Sequence, residues 1–211
     1  MPSTTQNSGL GAGFVGACLA AFLCVYAVPL ISPAWDAAQS EPRYAAAARG
    51  KPATTMELDA LIQALRATPW QADLSRAAFV QMLTAQQIGL HSLRATTRLA
   101  AARRDLRLGL AAAPSDSYAW TRLAISELHL GNNVAAAKAL SVALQIAPNE
   151  RKLTSLHFDL AVALWIDMDA AGRAAIERRL DAASKWPEQK AALAGNSSRA
   201  LRERIAVEKD Q

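Results

Sequence analysis

The sequence predicts an all-α protein: one N-terminal transmembrane helix followed by an α-α superhelical domain of about two to three helix pairs. Three observations carry this. The first 32 residues contain a long apolar run without an ionisable acid or base, from Gly9 to Ile31. Hydrophobic residues make up 52% of the 211, yet aromatics only 6%. Alanine and leucine, both strong helix formers, dominate, and β-branched residues are sparse. Finally, a stretch of the chain aligns on itself without gaps at a helical-repeat spacing.

The apolar run GLGAGFVGACLAAFLCVYAVPLI is long enough to cross a bilayer, since about 20 residues rising about 1.5 Å each span a hydrocarbon core of about 30 Å. Tyr26 and Trp35 stand near its distal end, where amphipathic rings favour the interface. Pro29 and Pro33 mark the exit from the helix. A cleavable signal peptide is the competing reading. Against it stand the absence of Lys or Arg in MPSTTQNS, the length of the run, and the lack of a good small-x-small cleavage site before Glu41. An uncleaved single-pass anchor is therefore expected over residues 9–32, after a short tail at 1–8. Arg43, Arg49 and Lys51 follow the span, which by the positive-inside rule favours a cytoplasmic C-terminal side. Folded domains behind a short-tailed anchor translocate largely regardless of charge, so a periplasmic domain on a bacterial inner membrane is preferred. Gly9, Gly13, Ala17 and Ala21 recur every fourth residue, with Ala12, Gly16 and Ala20 in a second row. Small residues at this spacing let membrane helices approach closely.

Cys18 and Cys24 both lie inside the apolar run, where a thiol acts as a small apolar group. No disulfide framework or zinc site is implied, and the redox compartment stays open. The net charge of +5 is spread over cations that alternate with Asp and Glu. That pattern fits a solvated helical surface, and no nucleic-acid partner is expected.

Residues 33–55 mix Pro, Gly, Ser and Ala and read as a linker. A helical domain follows over 56–187. Leu58, Leu61, Ile62 and Leu65 predict a helix over 56–67, which Thr68-Pro69 ends. A longer helix starts behind Asp73 and breaks near Gly89. ARRDLRLGLAAAPSD (102–116) then aligns on AAKALSVALQIAPNE (136–150), 34 residues later. Ala102 pairs with Ala136, Leu106 with Leu140, Leu110 with Leu144, and Pro114 with Pro148. Helices over 151–166 and 170–185 follow, with Asp169 as the N-cap of the second. Residues 188–211 form a terminal helix or tail, beginning after a break at 195–198.

The unit from Ser117 to Glu150 resembles the tetratricopeptide family. Trp120, Leu123 and Ala124 match the large–large–small pattern of its first helix. Ala136, Leu140 and Ala143 match the small–large–small pattern of its second, Pro148 matches the terminal proline, and Gly131-Asn132-Asn133 supplies the turn. Glu127 departs from the family, which favours a large aromatic there. The flanking units are divergent, so the repeats are expected to cover roughly 83–187. The resemblance implies a groove lined by the first helix of each pair and binding a partner's peptide or helix. Its positions in this chain are Gln87, His91 and Arg94 in the first unit, Tyr118, Thr121, Ile125 and His129 in the second, and Lys152, Ser155 and Asp159 in the third. The clamp of the chaperone-tail-binding subgroup is matched by Lys152 alone.

No nucleophile elbow, phosphate-binding glycine loop or metal-ligand cluster occurs. His91, His129 and His157 are scattered and read as surface or groove polar residues, and Arg103-Arg104 and Arg178-Arg179 as solvated pairs. No catalysis, cofactor or small-molecule substrate is expected. The expected role is a membrane-anchored scaffold that binds a protein partner, in bacterial envelope or polysaccharide-export assembly. The alternative is an accessory subunit that contacts a larger membrane complex mainly through its transmembrane helix.

Overall fold

The computed structural model describes residue 22 and residues 38–68 and 70–209. The predicted span and its small-residue row (Gly9, Gly13, Ala17, Ala21) fall outside the described residues, apart from the helical and exposed Phe22. Among the described residues no helix is long and apolar enough to cross a membrane.

The described chain is all-helical. A helix over 38–48 (α1) is followed by α2 (Thr55–Arg66), α3 (Gln71–Gln87), α4 (Leu93–Ala112), α5 (Ser117–His129), α6 (Asn133–Ile146), α7 (Thr154–Leu164), α8 (Ala170–Ser184), α9 (Lys190–Ala194) and α10 (Asn196–Lys209). Short 3₁₀ turns precede and follow α7 and precede α9. From α2 to α6 the connections are three to five residues long, which forces successive packed helices to run antiparallel. The main contacts are α3 with α4, α5 with α6, α2 with α3 and α4 with α5. Farther on, α6 meets α8 and α10 meets α7.

Local chemistry sets most helix ends. Thr54 and Glu57 make a reciprocal capping box at the start of α2: the Glu57 carboxylate accepts from Thr54 N–H at 2.7 Å, and Thr54 Oγ1 accepts from Glu57 N–H at 3.3 Å. Ser92, Asp116 and Asp169 each accept a backbone N–H in the first turn of α4, α5 and α8. Two of the helix ends also share their geometry. Ala113 and Ala147, 34 residues apart in sequence, both stand at φ −131°, ψ 69° and cap α4 and α6 in the same way. Gly89 (φ +87°) and Gly131 (φ +77°) turn the chain after α3 and after α5. Space around Gly131 is open, so a methyl group there meets strain in the backbone and not a clash. Gly131→Ala should destabilise the protein by about 1 kcal/mol, read as a shift of its urea midpoint.

Two of the sequence boundaries need correction. The stretch taken as a linker, 33–55, holds α1, because the run Ala45–Ala48 propagates a helix whose Tyr44 and Ala47 pack onto α2 and α3. Farther on, α3 begins at Gln71, before the Asp73 at which a helix was expected, and α4 begins at Leu93. At 20 residues α4 is longer than the 14-residue α6, so the 34-residue spacing holds at the ends of these helices and fails at their beginnings. At the other end, the break at 195–198 shrinks to Gly195. The helix α10 seals α7 with Leu201, which is fully buried.

Two apolar cores result. The larger runs from α3 to α10 through Leu99, Leu106, Leu140, Phe158, Leu164 and Ile176. The smaller joins α1, α2 and α3 through Leu58, Leu61, Ile62, Leu65, Ala77 and Val80. Each fully buried large side chain contributes about 1.5–3 kcal/mol. Polar groups also tie the N-terminal pair to the rest. Buried Asp105 of α4 accepts from Arg66 Nε of α2 at 2.8 Å and from Gln81 Nε2 of α3 at 2.7 Å. Arg98 pairs with Asp59 at 2.7 Å, and Arg76 with Glu41 at 2.7 Å.

Candidate functional site

One face of the odd-numbered helices carries a ladder of rings and guanidinium groups. Tyr44 of α1 and Phe79 of α3 meet edge to face at 6.1 Å. The Arg76 guanidinium lies 5.2 Å from the Tyr44 ring, and that of Arg122 on α5 lies 4.3 Å from the Phe79 ring. Ring faces are electron-rich and attract cations, by about 0.5–1 kcal/mol where water has access. All four side chains are half-buried. Arg76 is held further by Glu41 and by Asp73 at 3.5 Å, whereas Arg122 has no ion pair among the described residues.

Tyr118 sits one turn before Arg122 and is also half-buried. Burial raises its hydroxyl above the ordinary pKa, and hydrogen bonding to the Glu150 carboxylate adds to the effect. Glu150 also accepts from Lys152 N–H at 3.2 Å, so it joins the α5 face to the start of the next pair. Of the ten expected groove positions, Tyr118 and Lys152 are brought together in this way. Ile125 is half-buried and packs against the core. His129 is exposed at the end of α5, and Ser155 is exposed on α7. Asp159 accepts from Ser197 Oγ of α10 at 2.5 Å. Gln87 ends α3 and donates to the Ala53 carbonyl at 3.1 Å, His91 lies in the following turn, and Arg94 opens α4. Counted back from the Gly89 and Gly131 turns, Phe79 and Thr121 each stand ten residues before the glycine.

Thr121 itself is no lining residue, because it is buried at 1% exposure. Its hydroxyl donates to the Ser117 carbonyl at 2.8 Å and meets His157 Nε2 of α7 at 2.9 Å. His157 is likewise a core residue and not a surface one. Since the Thr121 proton goes to Ser117, the hydroxyl lone pair accepts from Nε2–H, leaving Nδ1 bare and without a partner. Burial, with a contribution from the nearby Arg179, pushes the ring's pKa down to about 3.

Arg179, expected in solvent beside Arg178, is buried. The reason is the end of α6, whose free carbonyls need donors. Arg179 Nη1 donates to the Ala147 and Pro148 carbonyls at 3.0 Å each, and Nη2 to the Glu150 carbonyl. Glu127, the departure from the repeat pattern, is buried and ionically held. It lies 2.7 Å from Arg107 and 3.6 Å from Arg103, and it accepts from Asn132 Nδ2 at 2.8 Å. These polar groups form a charge network between α4, α5 and the turn. Among the described residues, no three His, Cys, Asp or Glu side chains gather as metal ligands.

The sequence reading missed Tyr44, Arg76, Phe79 and Arg122. One signal was present: Arg122 stands four residues after Tyr118, on the same helical face. No protein-family model matches this chain, and no curated protein or solved structure does either.

Proposed function

We propose that this chain is a membrane-anchored scaffold of tetratricopeptide-like helix pairs, which holds a protein partner on the face of its odd-numbered helices. Residues 9–32 anchor it to a bacterial inner membrane, with the helical domain on the periplasmic side and a role in assembling an envelope or polysaccharide-export complex. The observation that carries the reading is the Tyr44–Phe79–Arg122 ladder, which lays mixed apolar and cationic surface across three stacked helices. Rings of this kind supply rigid contact area at low entropic cost, and tyrosine and arginine are enriched where partners bind. The equal cap geometry at Ala113 and Ala147 supports the repeat architecture. No constellation of nucleophile, base and orienting group accompanies the ladder, so binding and not catalysis is proposed.

Photo-crosslinking tests this in membranes. A benzophenone side chain placed at Tyr118 should trap a discrete partner, and one at Leu108 on α4 should not. Phe79→Ala and Arg122→Glu should each cut that adduct at least fivefold while leaving helix content unchanged. Equal trapping at both positions, or an adduct indifferent to both substitutions, overturns the reading. The second reading, an accessory subunit held through its span, is favoured by the Gly9, Gly13, Ala17, Ala21 row. It expects Gly13→Leu with Ala17→Leu to abolish association while the face variants preserve it.

A further inference from the structure

The N-terminal helix pair has an uneven distribution of satisfied charge. Each of its acids is engaged: Glu41 by Arg76 at 2.7 Å, Asp59 by Arg98 at 2.7 Å, and Glu57 by Thr54 within its capping box. Its exposed cations are not. Arg43, Arg49 and Lys51 all face solvent and form no ion pair among the described residues. Arg43 only adds to the field that lowers the Glu57 pKa, after the two Thr54 hydrogen bonds.

Two of these cations frame a cavity. Arg43 and Lys51 line a space of about 350 Å³ between α1 and α2, together with the buried Ala47, Leu58 and Leu61 and with Glu57, whose carboxylate is engaged by Thr54. Met56 lies beside it on the first turn of α2, with 78% of its surface exposed. Cationic groups beside apolar side chains, with a flexible apolar side chain at the edge, suit the boundary between phosphate headgroups and acyl chains. Chain length also limits where this pair can be. Six residues, 32–37, separate the end of the apolar run from the start of α1 as described, a reach of roughly 20 Å when fully extended.

Resting on the anchor reading above, we infer that α1 and α2 dock on the bilayer itself, with Arg43, Arg49 and Lys51 binding the headgroups of anionic phospholipids. The tether holds the pair within reach of the surface, and the charges decide whether it lies down. Each cation near an anionic surface shifts the docked population by roughly fivefold, and salt weakens all three together. The docked pair would set the angle at which the remaining helices stand off the membrane.

The test uses the full chain with Cys18→Ala and Cys24→Ala, carrying a fluorophore on Met56→Cys. It is reconstituted into vesicles of phosphatidylcholine alone, or with phosphatidylglycerol added, each holding a spin-labelled lipid as quencher. The expected result is several-fold stronger quenching in the anionic vesicles, lost at high salt and in the R43Q/R49Q/K51Q triple variant. A fluorophore on Val134→Cys, exposed on α6, should stay unquenched in both. Equal quenching in the two vesicle types, or at both label positions, in a chain that resists alkaline extraction overturns the docking alone. Release of the chain by alkaline extraction overturns the anchor and the docking with it.

Discussion

Replacing Arg179 with methionine is expected to lower the unfolding free energy by about 3 kcal/mol. Methionine keeps much of the apolar volume, so the loss reports on the hydrogen bonds. Three part-buried carbonyls at the end of α6, those of Ala147, Pro148 and Glu150, accept from this one guanidinium, and an acceptor left bare where water cannot reach it costs about 1–3 kcal/mol. A cavity of about 240 Å³ beside it, lined by Pro148, Asn149, Trp186 and Gln189, admits water to part of the gap and keeps the cost from reaching the full sum. Burial already lowers the guanidinium's pKa, against the pull of Glu150. Retaining charge without the planar fork should therefore recover only part of the stability, so Arg179→Lys is expected between wild type and Arg179→Met. Urea denaturation followed by helical circular dichroism measures all three. A loss under about 1 kcal/mol in Arg179→Met shows that water or a neighbouring donor covers those carbonyls.

Acid is expected to destabilise the fold through His157. The folded protein keeps the ring neutral down to about pH 3, whereas the unfolded ring takes a proton near pH 6.5. A depressed histidine pKa means that its contribution is complete above about pH 6.5 and shrinks as pH falls from there toward 3. Over that window the unfolded chain binds a proton that the fold refuses. At pH 4.5 the loss amounts to roughly 2–3 kcal/mol. The cause is local: Nδ1 has no acceptor to receive a new proton, and the Arg179 guanidinium adds repulsion. In His157→Gln the amide can still donate to Thr121 but does not titrate. That variant should be weaker at neutral pH and should lose less stability than wild type between pH 7.5 and 4.5. The same drop in both proteins assigns the acid sensitivity to carboxylates instead.

Helix positions were largely legible in the sequence because the signals are local. Leu58, Leu61, Ile62 and Leu65 of α2 fall at helical spacing and all four are buried. Asp169 caps α8, accepting from Gly172 N–H at 2.7 Å, and Gly131 turns the chain between α5 and α6. The 34-residue echo located the ends of α4 and α6. It could not locate the start of α4, since repeat spacing carries no information about where one unit has grown longer. Tyr44, Arg76 and Phe79 went unnoticed for the same reason: Phe79 meets Arg122 of α5, and Tyr44 meets Phe79 and Arg76, only once the register of α3 is known.

The sequence alone thus determined the all-helical class, the main turns and most apolar positions, because propensity, capping and periodicity act within a few residues. Only the tertiary structure decided the fate of the polar residues. Asp105, Glu127, His157 and Arg179 look like solvated side chains on their own helices, and each is buried because a partner from another helix meets it. Such pairings join residues 20 to 39 positions apart. Their strength depends on exclusion of water, which no stretch of sequence specifies by itself.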